Sequence, residues 1–449
     1  MAVAYADLWG DRETKNKQLT GESLPIRWLT LTPQPENFFF VPKDFSSDKE
    51  YRLGWSVTDV FGVWQNGLKT DRDDLFFGFD RDDLSQRMRR FYEPRLEPQF
   101  REQYQVIASS SYDVEARRLA TKFADTNIRS CLYRPMDVRW LYYDPNLTSR
   151  PAEKVMRHMM GGPNLGLIAT RQTQEKWDVL ATTNLCGHKS CAAYDINSLF
   201  PVYLYEHSLS FDLDAKDRSS AHSLINRPNL TGSFLKALAS SLQIPQKGSY
   251  GLPGGLTPEH IFHYIYAVFH SPGYRTRYAE FLKIDFPRLP LTGSLELFRA
   301  LARLGGELTA LHLLESPRLD QPMTTFIGDS REVVKVGWVN NTVWLDAGGK
   351  KAETRPGTSG FQGVTEAVWN FHIGGYQVCE KWLKDRKGRT LSEEDIAHYH
   401  KIVVALSETI RLMAEIDAVI EAHGGWPGAF QGHAADADSE PVLKVAEGD

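Results

Sequence analysis

The sequence predicts a mixed α+β protein with a β-rich part, helical subdomains and a long C-terminal helix. Short aromatic and β-branched runs punctuated by proline dominate its first half, apolar residues recur at helical spacing through 257–315, and one unbroken helical pattern runs from about 392 to 422.

In chain order, Tyr5, Leu8 and Trp9 precede a polar run that ends at Thr20-Gly21, which predicts a short polar helix within 4–22 running into a loop. Too polar to hold itself, residues 1–24 read as a linker whose packing partner lies upstream in a longer polypeptide. Arg27–Leu31 and Phe38–Val41 read as strands and open a β-rich part over 25–250. Within it, the strand-like runs Leu141–Tyr143, Leu165–Ala169 and Phe200–Tyr205 alternate with loops bearing Arg, Lys and Asn. Thr257 as N-cap with Pro258 at the first position begins a helical subdomain over 257–315, carried by Ile261, Tyr264, Ile265, Val268 and Phe269 and broken at Ser271-Pro272-Gly273. Asn340-Asn341 marks a hairpin turn in the 325–432 part. Ser392 with Asp395 makes a capping-box pair, and Ile396, Tyr399, Val403, Leu406, Ile410 and Met413 form a coiled-coil-like seam, suited to a spacer or docking helix, that Gly424-Gly425 stops. The acidic residues 433–449 read as a disordered tail.

With 52 Lys and Arg against 57 Asp and Glu, the 449-residue chain has a formal charge of -5, which excludes a uniformly basic nucleic-acid coat but not a local groove. Residues 129–176 carry eight Lys and Arg against four acids. A mean hydropathy of -0.39, with no apolar run near the roughly 20 residues of a span, excludes an integral membrane protein. Four cysteines are too few for a disulfide scaffold, and the N-terminus has no basic-then-apolar leader, so a reducing, cytoplasmic location is expected.

No Gly-x-x-x-x-Gly-Lys-Ser/Thr is present to cradle phosphates, no Gly-x-Ser-x-Gly elbow occurs, and the absence of any Pro-Pro pair removes the tetrapeptide that grips a flipped adenine in amino-methyltransferases. The nearest approach to a metal nuclease is Asp195 with Asp214-Ala215-Lys216, a combination that charged surfaces produce by chance. Cys186-x-His188-x-x-Cys191 supplies three zinc-type ligands without a fourth, so core thiols are the plainer reading.

Several long stretches together carry a family resemblance. They are Tyr133-Arg-Pro-Met-Asp-Val-Arg-Trp-Leu-Tyr-Tyr143, Phe200-Pro-Val-Tyr-Leu-Tyr205, the 265–282 segment, Asp285-Phe-Pro-Arg-Leu-Pro290, and the 373–386 segment beginning Ile-Gly-Gly-Tyr. In order and spacing, over most of 25–423, the chain resembles the C-terminal target-recognition region of type ISP restriction-modification enzymes, single polypeptides that join nuclease, helicase-like ATPase, adenine-N6 methyltransferase and DNA specificity domains. The opening Ala4–Gly10 resembles the join after the methyltransferase. The resemblance implies sequence-specific binding of double-stranded DNA, with methylation and ATP-dependent cleavage carried by the methyltransferase and helicase-nuclease domains. It implies no cofactor in this chain, and S-adenosylmethionine, ATP and Mg for the full-length enzyme.

DNA readers need cations on phosphates for register and planar side chains on base edges for sequence. The Gly67–Arg72 loop offers Lys69, Thr70 and Arg72, with Gly67 expected to admit a phosphate. Residues 129–189 offer Arg134, Arg139, Arg150, Lys154, Arg157, Arg171, Gln172, Thr173, Asn184, His188 and Lys189. Arg171 and Gln172 leave an apolar strand and so would be aimed by it. Arg134 and Arg139 flank Asp137 and serve equally as structural ion pairs; Arg275 and Arg277 favour packing; the Lys381, Lys384, Arg386, Lys387 and Arg389 cluster reads as a solvated face. The rival functions are an active methyltransferase or nuclease with degenerate motifs and a protein-interaction module built on the 392–422 helix.

Overall fold

The computed structural model describes residues 3–22, 25–33, 38–109, 111–207, 224–350 and 354–431. They fall into two units, Met1–Lys49 and Glu50–Asp449. The expected tail at 433–449 and the Asp214-Ala215-Lys216 triplet lie outside the described residues.

In the first unit the polar helix is Arg12–Thr20, opened by the Asp11 carboxylate accepting from Thr14 N at 2.8 Å and closed by Gly21 at φ +79°. Val3–Tyr5 pairs antiparallel with Leu29–Leu31. Phe38–Val41 is not the strand its composition suggests. Phe38 sits at φ +47°, a left-handed backbone that no continuing strand adopts, and Phe38 and Phe40 are exposed.

The second unit is built on two four-stranded sheets. One runs Leu185–Cys186, Ile128–Arg134, Asp137–Tyr142, Phe77–Gly78, with Leu185–Cys186 parallel to its neighbour and the rest antiparallel. The other runs Gln65–Asn66, Asn197–Pro201, Gly166–Thr170, Val179–Thr182, antiparallel throughout. Gly166–Thr170 and Asn197–Pro201 are buried at every position, the first as its apolar run Gly166–Ala169 demands, the second with Asn197 bonded to Gly187 O (3.0 Å) and Ser198 to Asn66 Oδ1 (2.8 Å). Helices alternate with these strands more than the aromatic runs announced: Arg81–Phe91, Pro98–Gln103, Val114–Ala120 and Glu153–Met160 all lie within 50–160.

Pro258–His270 and Leu295–His312 pack closely; a Cβ at Gly305 would stand 1.9 Å from His263 O. Against both lies Glu393–Ala422, opened by the expected Ser392/Asp395 capping box. It is no free spacer. Residues 402–406 are buried without a break, which requires neighbours on every side, and the buried line continues through Thr409, Leu412, Ile416 and Ile420 while Ile410 and Met413 of the expected seam are only half-buried.

A buried polar chain ties these helices to the second sheet. Ala181 N–H donates to Tyr266 Oη (3.2 Å), Tyr266 O–H to His312 Nδ1 (2.5 Å), His312 Nε2–H to Thr409 Oγ1 (2.9 Å) and Thr409 O–H to Ala405 O (2.7 Å). Burial pushes His312 down to about 3 and His270 well below the usual histidine range, so both are neutral.

The remaining four-stranded sheet runs Thr325–Ile327, Gly360–Gln362, Thr342–Trp344, Gly337–Val339. Its hairpin turns at Asn340 and Asn341, both at positive φ (53° and 58°), the mirror-type turn that this pair predicts. No helix among the described residues is long and apolar enough to cross a membrane.

Candidate nucleic-acid interface

Three loops meet where the two sheets join. Lys69 and Arg150 exchange backbone hydrogen bonds (2.9 and 3.0 Å), while Leu68 N donates to Cys186 O (3.0 Å) and His188 N to Leu68 O (2.8 Å). The 67–73, 148–154 and 184–190 segments are therefore held side by side by main chain. Gly67 serves this junction, not a phosphate: a Cβ there would stand 2.3 Å from Gly187 O, and the residue is buried.

Beyond the junction, Glu153–Met160 buries Val155, Met156, His158 and Met159 and leaves Lys154 and Arg157, three residues apart, on its outer side. Arg150, Lys154 and Arg157 are exposed and have no ion-pair partner among the described residues. Lys69 is half-buried and paired with Asp71 at 2.5 Å; Asp71 also accepts from Ser149 Oγ at 2.6 Å.

A second group of loops follows the buried Gly166–Thr170 strand. Arg171 and Gln172 emerge exposed, as the strand predicts, and Arg171 Nε meets Asp285 at 3.0 Å. Both members of that pair are about two-thirds exposed (69% and 65%), so the contact holds Arg171 weakly. Thr173 turns inward and donates to Asp195 (3.0 Å), which also accepts from Gln174 N (2.9 Å). Across the loops Ala193 N donates to Glu175 (2.9 Å) and Lys189 Nζ to Ala193 O (2.9 Å), leaving Tyr194 80% exposed between them. The 171–176 and 188–196 loops are thus stitched into one surface. A cavity of 340 Å³ lined by Lys176, Trp177, Asp178, Arg275, Lys283 and His372, among others, adjoins it.

Other nominated side chains are engaged within the fold. Thr70 donates to Asp73, and Arg72 binds the carbonyls of Gln105 (2.6 Å), Ile107 (3.0 Å) and Asp71 (2.6 Å). Asn184 Oδ1 accepts from Ser130 (2.5 Å), and His188 Nδ1–H donates to Leu68 O (3.1 Å), with burial holding the ring below its ordinary pKa. Arg139 binds Asp137 (2.7 Å) and Asp385 (3.0 Å).

Asp137 also binds Arg386 at 3.0 Å, so Arg386 is no part of a solvated face: only 7% of its side chain is exposed. Burial alone would raise the Asp137 pKa, but the two guanidiniums outweigh it and hold the carboxyl below its usual range. Cation and ring alternate through this region. Arg386 lies 3.4 Å from the Trp382 centroid and 4.8 Å from Phe79, Arg139 lies 4.4 Å from Phe79 and 3.9 Å from Tyr133, and Arg134 lies 4.0 Å from Tyr133 and 5.3 Å from Tyr376. Sequence reasoning saw the aromatic setting of Arg134 and Arg139 but not Phe79 or Arg386, which no local spacing connects to them. Arg275 packs as expected, 5.7 Å from the Trp177 centroid and paired with Asp178 (2.5 Å), whereas Arg277 is exposed and engaged in an ion pair with Glu50 (2.6 Å).

The zinc-type triplet does not assemble. Cys186 and Cys191 are buried free thiols, burial pushes Cys186 up to about 12, and among the described residues no three His, Cys, Asp or Glu side chains gather to hold a metal.

The family model described as the Type ISP C-terminal specificity domain matches residues 59–415. Among solved structures, the chain is similar to DrdV in a DrdV-DNA complex, with 19% identity and a TM-score of 0.67 over 91% of this chain and 42% of that one. It is also similar to LlaBIII, an ATP-dependent Type ISP restriction-modification enzyme bound to DNA (16%, 0.66, 90% and 27%). A third is a nuclease-deletion mutant of the Type ISP enzyme LlaGI in complex with a DNA substrate mimic (17%, 0.63, 92% and 33%). At these identities the likeness is one of fold, and the chain spans less than half of each of those proteins. No curated protein matches it.

Proposed function

We propose, from the premise that the chain belongs to the Type ISP C-terminal specificity domain family, that it binds double-stranded DNA and selects its base sequence. The observation that carries this is the division of labour across the surface within the matched span. Arg150, Lys154 and Arg157 stand exposed with no ion-pair partner among the described residues, which suits phosphate, and Gln172 and Arg171 project from the end of a buried strand, which suits base edges. Lys69, Lys189, Arg134 and the other inward-turned residues then hold the loops that present them.

Adenine-N6 methylation and ATP-dependent cleavage belong, in this reading, to methyltransferase and helicase-nuclease domains of a parent enzyme acting in the cytoplasm; the four free, buried cysteines support a reducing compartment. S-adenosylmethionine, ATP and Mg would bind in those domains. The sequence holds no Gly-x-x-x-x-Gly-Lys-Ser/Thr loop to cradle a nucleotide's phosphates, and among the described residues no metal-ligand set gathers, so the residues present do not fit these groups.

The test is selection from a pool of duplexes with a randomised core, followed by affinity at several salt concentrations. Enrichment of one sequence, with log K falling against log salt by about 0.9 per phosphate contacted, is expected. A pool that stays random, with a flat salt response, would move the reading to a protein partner.

A further inference from the structure

The loops that carry Gln172 and Lys189 are fixed from outside the sheets by a short hairpin of the C-terminal part. Its strands are His372–Ile373 and Tyr376–Gln377, its turn is Gly374-Gly375, and the helix Val378–Lys384 that follows anchors it through buried Val378, Cys379, Trp382 and Leu383. The single Tyr376 O–H is shared between Lys189 O (2.9 Å) and Ala192 O (3.2 Å), at the two ends of the 189–192 turn. Arg134, under the Tyr376 ring, donates from Nη1 to the same Lys189 carbonyl (3.3 Å).

The turn reaches the other loop as well. Gly374 N–H donates to Asp178 Oδ2 (3.3 Å), and a Cβ at Gly374, whose φ is +56°, would lie 1.8 Å from Cys191 O. At Gly375 it would lie 2.2 Å from the Glu175 carboxylate, the same carboxylate that accepts from Ala193 N. Both glycines are needed for this approach, one for space and backbone hand, the other for space. The hairpin therefore touches both loops at once.

We propose that the Gly374–Tyr376 turn is a specificity-determining positioning element: it locks 171–178 and 188–195 into a single preformed reading unit, so that base discrimination depends on residues that touch no DNA. The inference rests on the function proposed above. Preformed loops lower the ordering cost of binding and keep planar side chains within hydrogen-bond geometry, which matters for base edges and hardly at all for phosphates.

The experiment uses the whole chain and the duplex enriched from the randomised pool, with a scrambled duplex of the same length as reference. Tyr376→Phe keeps the ring and removes only the hydroxyl bonds. The ratio of selected to scrambled affinity should fall about three- to tenfold, with scrambled-duplex affinity and salt slope unchanged, melting temperature lowered by no more than a few degrees and amide exchange faster over 188–195. An unchanged ratio, or an equal loss on both duplexes, overturns the inference. Should Tyr376→Phe fail to fold, Arg134→Lys decides the matter. It keeps the charge but loses the planar bond to Lys189 O, and the same ratio must fall. A wild-type chain that enriches nothing overturns the function reading itself, an outcome distinct from wild-type discrimination that the variants leave intact.

Discussion

Two groups of cations in this protein have opposite fates. Arg139 and Arg386 flank Asp137 in the interior, 10% and 7% exposed, stacked on Phe79, Tyr133 and Trp382. Arg150, Lys154 and Arg157 stand in solvent with no ion-pair partner among the described residues. Arg139 shares the Arg-rich 129–176 stretch with Arg150, Lys154 and Arg157, so local charge excess did not distinguish it from them. A guanidinium buried against a carboxylate is out of a phosphate's reach and could turn to one only by leaving that carboxylate buried without its charge partner, whereas an exposed one gives up only water.

The contrast can be broken most severely at Asp137. Asp137→Ala removes the carboxylate that two buried guanidiniums share, leaving Arg139 only Asp385 and Arg386 only Asp395, and should cost about 3 kcal/mol of stability in urea unfolding, while Lys154→Ala should change it by no more than about 0.5 kcal/mol. Similar costs for the two would erase the distinction between interior and surface cations.

Acid sharpens the same comparison for histidine. His270 and His312 are buried neutral, His312 down to about 3, so the unfolded chain takes up their protons first as pH falls. Their contribution is complete above the unfolded value near 6.5 and declines below it by about 1.4 kcal/mol per pH unit per histidine, for His312 until pH nears 3. Urea midpoints should therefore drop between pH 6.5 and 5, before ordinary carboxylates titrate. A flat midpoint across that range would mean these rings are solvated.

The gentlest test lies on the surface itself. Gln172→Ala should cost about 1–3 kcal/mol on the selected duplex and almost nothing on a scrambled one. Lys154→Ala and Arg157→Ala should weaken both duplexes alike and flatten the salt slope by about 0.9 each. Binding measured on both duplexes at matched salt decides it; an equal effect of Gln172→Ala on the two would assign that side chain to the backbone.

Much of the fold was legible because its signals are local. The Thr257 and Ser392 caps, the Asn340-Asn341 turn and the buried Gly166–Thr170 strand each lie within a few residues of what they determine. The Phe38–Val41 strand and the coiled-coil seam were misread for the converse reason. Composition suggested them, but the backbone at Phe38 and the neighbours around 402–406 decided otherwise. The candidate surface was legible in part. Burial of the preceding strand projects Arg171 and Gln172, while Thr173, Asn184 and His188, as polar as they are, turn inward to partners elsewhere in the chain.

By itself, then, the sequence determined the α+β class, the positions of the caps and turns, the family resemblance and the region where basic side chains concentrate. Tertiary structure alone decided which of those side chains remain available. Asp137 and Arg386 are 249 positions apart, and Tyr376 meets Lys189 across 187. Helix and strand patterns repeat over a few residues because backbone geometry does, but an ion pair or a loop clamp answers only to proximity in space, which no spacing along the chain encodes.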